Sequence, residues 1–170
     1  LMLFYGFPFP ALAAPGTRIS TDYARAVRKK VQAHIDEFKE LWNSLVPIAV
    51  ENRKRGGRIA IEWLRNCAYW KYPEVQNLLE LLGLKKAQID GCAVGLKFNG
   101  IPVKKPWYVA TDDAWLFEAL DVQRCPGHAE HIPCCNRVAK ASENYPEAMA
   151  DRIHAAWGQS VKDRSSNQSG

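Results

Sequence analysis

Apolar side chains return every three or four residues early in the chain, at Tyr23, Val27, Val31, Ile35, Phe38, Leu41, Trp42 and Leu45. That period lays them along one stripe of a long helix, which Ser20 or Thr21 can cap. Pro47 predicts a kink or an end, because its ring removes a backbone donor and clashes with the preceding turn. Arg53-Lys54-Arg55-Gly56-Gly57 then closes the segment. After the glycines the pattern changes. Arg58 to Trp63 is short and β-branched, and reads as a strand. Pro73 sits where helices accept proline, at the first turn, and predicts a helix through Leu82 with Val75, Leu78, Leu79 and Leu82 inward and Gly83 as the stop. Ala87 to Asp90 is the next strand. Val94 to Phe98 and Ile101 to Val103 flank Asn99-Gly100, a pair suited to a tight hairpin turn. Trp107 to Ala110 continues as strand, Thr111 or Asp112 caps a short helix through Leu120, and a last helix runs from about Pro146 to Trp157. At the other end, Met2 to Gly6 reads as a buried strand leading into a proline-rich loop, and a chain that opens in mid-strand looks like a piece of something longer.

This succession of strands and helices predicts a mixed α/β architecture with one domain over residues 1–158 and a disordered polar tail over 159–170. At 170 residues, with 47% of them hydrophobic, the chain supports one core and not two comfortable ones. The formal charge of +5 comes from 23 basic and 18 acidic residues, an excess that permits binding to a polyanion without demanding it. No apolar run reaches the ~18 residues that a bilayer-spanning helix needs. Leu1 to Phe7 followed by Ala11-Leu12-Ala13 imitates a secretory leader, but it lacks a basic start and carries Pro8 and Pro10, so an intracellular location is expected. Five cysteines, at 67, 92, 125, 134 and 135, are an odd number, which fits reduced thiols better than a disulfide framework.

The densest chemistry lies in Cys125-Pro126-Gly127-His128-Ala129-Glu130-His131-Ile132-Pro133-Cys134. Two thiols and two imidazoles, Cys125, His128, His131 and Cys134, recur at three-residue steps and suit a tetrahedral zinc site. Ligands so close together normally need help from a distant pair, and the plain alternative is a polar loop with adventitious cysteines. Glu62 closes a strand, where ligands of α/β sheets bind, and the aromatics beside it, Trp70 among them, could stack on a base, with Arg65 nearby; the commoner explanation is that Glu62 pairs with Arg65 or a lysine and the tryptophans are core. Lys104 and Lys105 suit phosphate contact or a lysine-protected hairpin edge. Arg25, Arg28, Lys29 and Lys30 fit the solvated face of the long helix. Cys67 has no histidine near it in sequence and reads as a packing residue rather than a nucleophile. There is no phosphate-cradling glycine loop.

Taken in order, the loop Phe7-Pro8-Phe9-Pro10, the long helix, the strand ending Ile61-Glu62-Trp63 and the block Gly100-Ile101-Pro102-Val103-Lys104-Lys105 resemble the second half of a cytosine-C5 DNA methyltransferase domain. With Trp70, Asp90-Gly91-Cys92, Gly95, Lys104-Lys105-Pro106-Trp107, Cys125, His128 and His131, the chain is similar, over about residues 1–158, to methyltransferase-like segments encoded in retroelement polyproteins. The resemblance implies a partial Rossmann-like sheet with flanking helices and a Cys/His-rich C-terminal segment. It makes Glu62 the match of a base-contacting glutamate, and Lys104 or Lys105 the match of an arginine-bearing strand. Phe9 stands where the nucleophilic cysteine is expected, and a phenyl ring cannot attack a pyrimidine. The half that would bind S-adenosylmethionine is not in this stretch, so that cofactor is not expected on this chain alone. Three functions follow: a catalytically silent module that binds DNA or RNA, braced by zinc; a structural or protein-interaction domain; and a metal-assisted enzyme with Glu62 as general base.

Overall fold

The computed structural model describes residues 2–4 and 21–167. The chain divides into two compact units, residues 7–55 and residues 1–6 with 56–170, where the sequence suggests one domain. The leader-like stretch, apart from Met2–Phe4, and the Phe7 to Pro10 loop with Phe9 and the Ser20 cap lie outside the described residues.

In the first unit, helix α1 spans Thr21–Lys54, about 51 Å at 1.5 Å per residue. It passes through Pro47 without ending. One lost backbone bond is tolerated because the same stripe is buried on both sides of the proline, at Phe38 and Trp42 before it and Ala49 after it. The Phe38 and Trp42 rings stack at 5.6 Å.

The second unit is built on a four-stranded sheet. Its strands are β1 (Met2–Phe4), β2 (Ala60–Leu64), β3 (Lys85–Asp90) and a later strand, Pro106–Thr111. Helix α2 (Pro73–Leu81) connects β2 to β3. Next come the short strands β4 (Lys97–Phe98) and β5 (Ile101–Lys104), then β6 (Pro106–Thr111), α3 (Ala114–Asp121), β7 (Ile132–Pro133), α4 (Asn136–Ala141) and α5 (Glu147–Asn167). The order is β1-β2-β6-β3. β1 runs parallel to β2, whereas β6 is antiparallel to both β2 and β3. β2 and β3 therefore point the same way with β6 between them, a departure from the simple parallel succession that the strand and helix order suggests. The fold is mixed α/β with small sheets.

Register places Glu62 opposite Val109 and Leu64 opposite Trp107, with Ala87 and Ile89 on the far side of β6. Ala60, Ala87, Ile89, Trp107 and Val109 share a core with Leu116 and Leu120 of α3 and Met149 and Ala156 of α5. On the opposite face of β2, Trp63 packs edge-on against Trp70 and Tyr69, at 4.6 and 5.7 Å between ring centroids.

The cap of α3 is Asp113 rather than Thr111 or Asp112: its carboxylate accepts from the Leu116 N–H at 3.0 Å. Thr111 remains in β6, donating to the Ile59 carbonyl, and Asp112 pairs with Arg58 at 3.3 Å. Residues 159–167, expected in a disordered tail, continue α5. Buried Ser160 donates to Asp113, and Trp115 Nε1 donates to Asp163 at 2.6 Å, so polar side chains here serve helix packing. No helix among the described residues is long and apolar enough to cross a membrane.

Candidate metal centre

β3 ends at Asp90, and Gly91–Val94 follow in one tight 3-10 turn. Gly91 donates its N–H to the Lys105 carbonyl at 2.9 Å, and a Cβ on it would stand 2.9 Å from that same oxygen and 3.1 Å from Trp107. Only a residue without a side chain lets the turn press this closely against the start of β6. The result is a buried Cys92 at the end of the sheet.

A second segment arrives from α3. The Asp90 N–H donates to the Gln123 carbonyl, and the Cys125 N–H donates to the Asp90 carboxylate, both at 2.9 Å. Cys125 thereby meets Cys92 across 33 positions of sequence. Further on, β7 pairs with β5, Ile132 beside Val103, which fixes the preceding His131. His131 Nε2 lies 3.4 Å from the sulfur of Cys125 and 3.4 Å from that of Cys92. The His128 and His131 rings meet edge to face at 5.2 Å.

Cys92, Cys125, His128 and His131 each offer one donor atom, and these four atoms all lie within 4.8 Å of one another. With Zn–S about 2.3 Å and Zn–N about 2.0 Å, neighbouring donors of a tetrahedral site stand roughly 3.3 to 3.8 Å apart. The 3.4 Å contacts fall in that range. His128 Nε2 is buried and, among the described residues, has no hydrogen-bond partner. A buried imidazole nitrogen left bare is costly, and a cation bound there would satisfy it. The donor set fits zinc. The Cys/His cluster can hold a metal ion.

Hydrogen bonds from the backbone N–H groups of His128 and Gly127 hold the Cys125 thiol below its usual pKa. Burial pushes the Cys92 thiol up to about 11, with the hydrogen bond to Cys125 adding to the effect. Arg65 Nη1 stands 3.9 Å from the Asp90 carboxylate, which links that arginine to the rim of the centre.

Three of the four residues singled out by spacing, Cys125, His128 and His131, come together. Cys134 does not: its sulfur lies 3.4 Å from Ser142 Oγ. The missed partner is Cys92, whose signal was a cysteine just past a strand end, after a glycine.

Of the other singled-out residues, Glu62 and Lys105 gather with Tyr145 in a separate group. Tyr145 O–H donates to Glu62 Oε2 at 2.9 Å, and the Tyr145 ring meets Trp107 edge-on. Glu62 is 8% exposed; burial raises its pKa to about 7, opposed by the Tyr145 hydrogen bond and the Lys105 charge. The Tyr145 hydroxyl is pushed far up by burial and by Glu62. Lys105 turns inward, with its ammonium donating to the Ser142 carbonyl and lying 5.4 Å from the Trp107 ring centroid, while Lys104 is exposed. Trp70 is buried and donates to the Leu64 carbonyl at 3.0 Å, so its ring serves the core. Burial also raises the Cys67 thiol. The sequence matches no family model, and no curated protein or solved structure matches it.

Proposed function

We propose that the chain is a zinc-braced α/β domain in which Cys92, Cys125, His128 and His131 hold a structural ion. One observation carries this: four donors of the right chemistry, from two segments far apart in sequence, converge within 4.8 Å. Four protein ligands fill a tetrahedral zinc and leave no open position for substrate, the signature of a structural rather than a hydrolytic site. Glu62, the general base of the metal-assisted alternative, is partnered by Tyr145 and not by any of the four donors. The ion fastens the stretch after α3, which has little regular structure of its own, to the end of β3.

The test is metal analysis of protein purified without chelator, in the parent chain and in Cys92→Ser and Cys134→Ser. One zinc per chain, lost in Cys92→Ser and kept in Cys134→Ser, is expected. A metal-free parent chain, or loss in Cys134→Ser, overturns the assignment.

A second reading, contact with DNA or RNA by a methyltransferase-like module, is supported by the charge distribution. Residues 7–55 hold nine basic and five acidic side chains, whereas the remainder holds fourteen and thirteen. The excess that would attract phosphates therefore belongs to the unit of α1, with Arg25, Arg28, Lys29 and Lys30, rather than to Lys104 and Lys105. The shared direction of β1, β2 and β3 is compatible with a methyltransferase-like sheet carrying one antiparallel strand. Fluorescence anisotropy with a labelled oligonucleotide tests it: affinity that falls with salt and weakens in Arg28→Glu with Lys29→Glu supports the contact, and affinity indifferent to both refutes it.

A further inference from the structure

Three features compete for a further role. The small cleft lined by Arg58, Asp113, Trp115, Ser160 and Arg164 has acidic and basic walls together and no ligand chemistry of its own. The Glu62, Tyr145 and Lys105 group is closed, each member taken by a neighbour. The thiol pair of the metal centre goes further.

We infer that Cys92 and Cys125 form an oxidation-sensitive pair, closing to a disulfide under peroxide and expelling the zinc; this rests on the zinc reading above. Both sulfurs touch the same His131 nitrogen at 3.4 Å and lie within 4.8 Å of each other. A disulfide requires them to close to about 2 Å. Their exposure differs in a useful way: Cys125 is partly open to solvent, whereas Cys92 is buried. An oxidant entering from solvent meets Cys125 first, and Cys92 waits behind it as the resolving thiol. Cys134 is turned toward Ser142, and Cys135 is exposed, outside the cluster.

The chemistry closes with hydrogen peroxide as oxidant. The Cys125 thiolate attacks one peroxide oxygen, the O–O bond breaks, and a sulfenic acid and hydroxide result. The Cys92 thiolate then attacks that sulfur, the S–S bond forms and a second hydroxide leaves. Two electrons pass from the two thiolates to the peroxide. With both anionic sulfurs gone, only His128 and His131 remain as ligands, and two neutral imidazoles do not retain the ion. The new bond still ties the loop to the end of β3, so oxidation exchanges an ion-held junction for a covalent one and frees the two histidines.

The experiment uses the full chain. Zinc is first measured in the reduced protein; peroxide is then titrated in against a chromogenic zinc chelator, and the disulfides are mapped by peptide mass spectrometry. The expected result is one zinc released per Cys92–Cys125 disulfide, with dithiothreitol and added zinc restoring the starting state. A double variant, Cys134→Ser with Cys135→Ser, should release zinc unchanged. Zinc retained under peroxide, or released while Cys134 or Cys135 forms the bridge or Cys125 stops at sulfinic acid, overturns the pair. A chain without zinc before peroxide overturns the zinc reading itself, and with it the release.

Discussion

Glu62→Gln should flatten a defined part of the pH dependence of stability. The carboxyl is driven from 4.5 to about 7 by burial, the Tyr145 hydrogen bond and Lys105 offsetting only part of that cost. A raised acid pKa means that the folded state holds the proton more firmly than the unfolded chain does. The contribution is then fully present below pH 4.5 and is lost as pH rises through 7. At 1.36 kcal/mol per unit, the change across that window is about 3 kcal/mol. Glutamine keeps an oxygen for the Tyr145 hydroxyl and never ionises. Urea unfolding of both proteins at intervals from pH 4.5 to 8 isolates the effect, because zinc-linked changes cancel in the difference. The variant should gain about 3 kcal/mol on the parent chain between the two ends. A difference that stays constant across the range would refute a buried, neutral Glu62.

Other consequences are as specific. Tyr145→Phe removes the hydroxyl that favours the ionised form, and should destabilise the fold by about 1.5–3 kcal/mol at pH 8, where Glu62 is charged, and by less at pH 4.5 by urea unfolding. Asp90→Asn weakens the carboxylate that holds the Cys125 backbone; zinc affinity by competition with a chromogenic chelator should fall about 10- to 100-fold, and an unchanged affinity would show that Asp90 does not position the loop. Gly91→Ala drives a methyl group into the Lys105 carbonyl and the Trp107 ring and should cost about 1–3 kcal/mol, read by thermal unfolding.

Local periodicity made much of this fold readable. The stripe of α1 survives Pro47, and Asn99 and Gly100 adopt the positive φ values of 49° and 81° that their dipeptide promises for the β4–β5 turn. Three members of the Cys/His cluster were legible because they share one loop. Cys92 was not, because its place depends on β3 and on the Asp90 clamp rather than on spacing. The position of β6 was equally hidden: alternation along Trp107 to Ala110 marks a strand but carries no record of which neighbours it joins. Helix α5 outran its expected end because Ser160 and Asp163 have the composition of a solvated tail and become helix-packing residues only once Asp113 and Trp115 face them. Glu62 reads in the sequence as a strand-end acid, but it is the middle residue of β2, and its partner is 83 residues away.

The insertion of β6 between β2 and β3 also dictates an order of assembly. During synthesis β2 and β3 are complete before Pro106 emerges, yet in the finished sheet they do not pair with each other, since β6 lies between them. Until then each keeps an edge of unpaired backbone groups, the kind of surface that recruits foreign strands. Sheet closure waits for contacts such as Ala60 with Thr111, 51 positions apart, and so belongs to the slow, non-local class of folding events. Nascent chains halted before residue 106 should therefore be the aggregation-prone species of this protein, and chaperone demand should drop once β6 has been delivered.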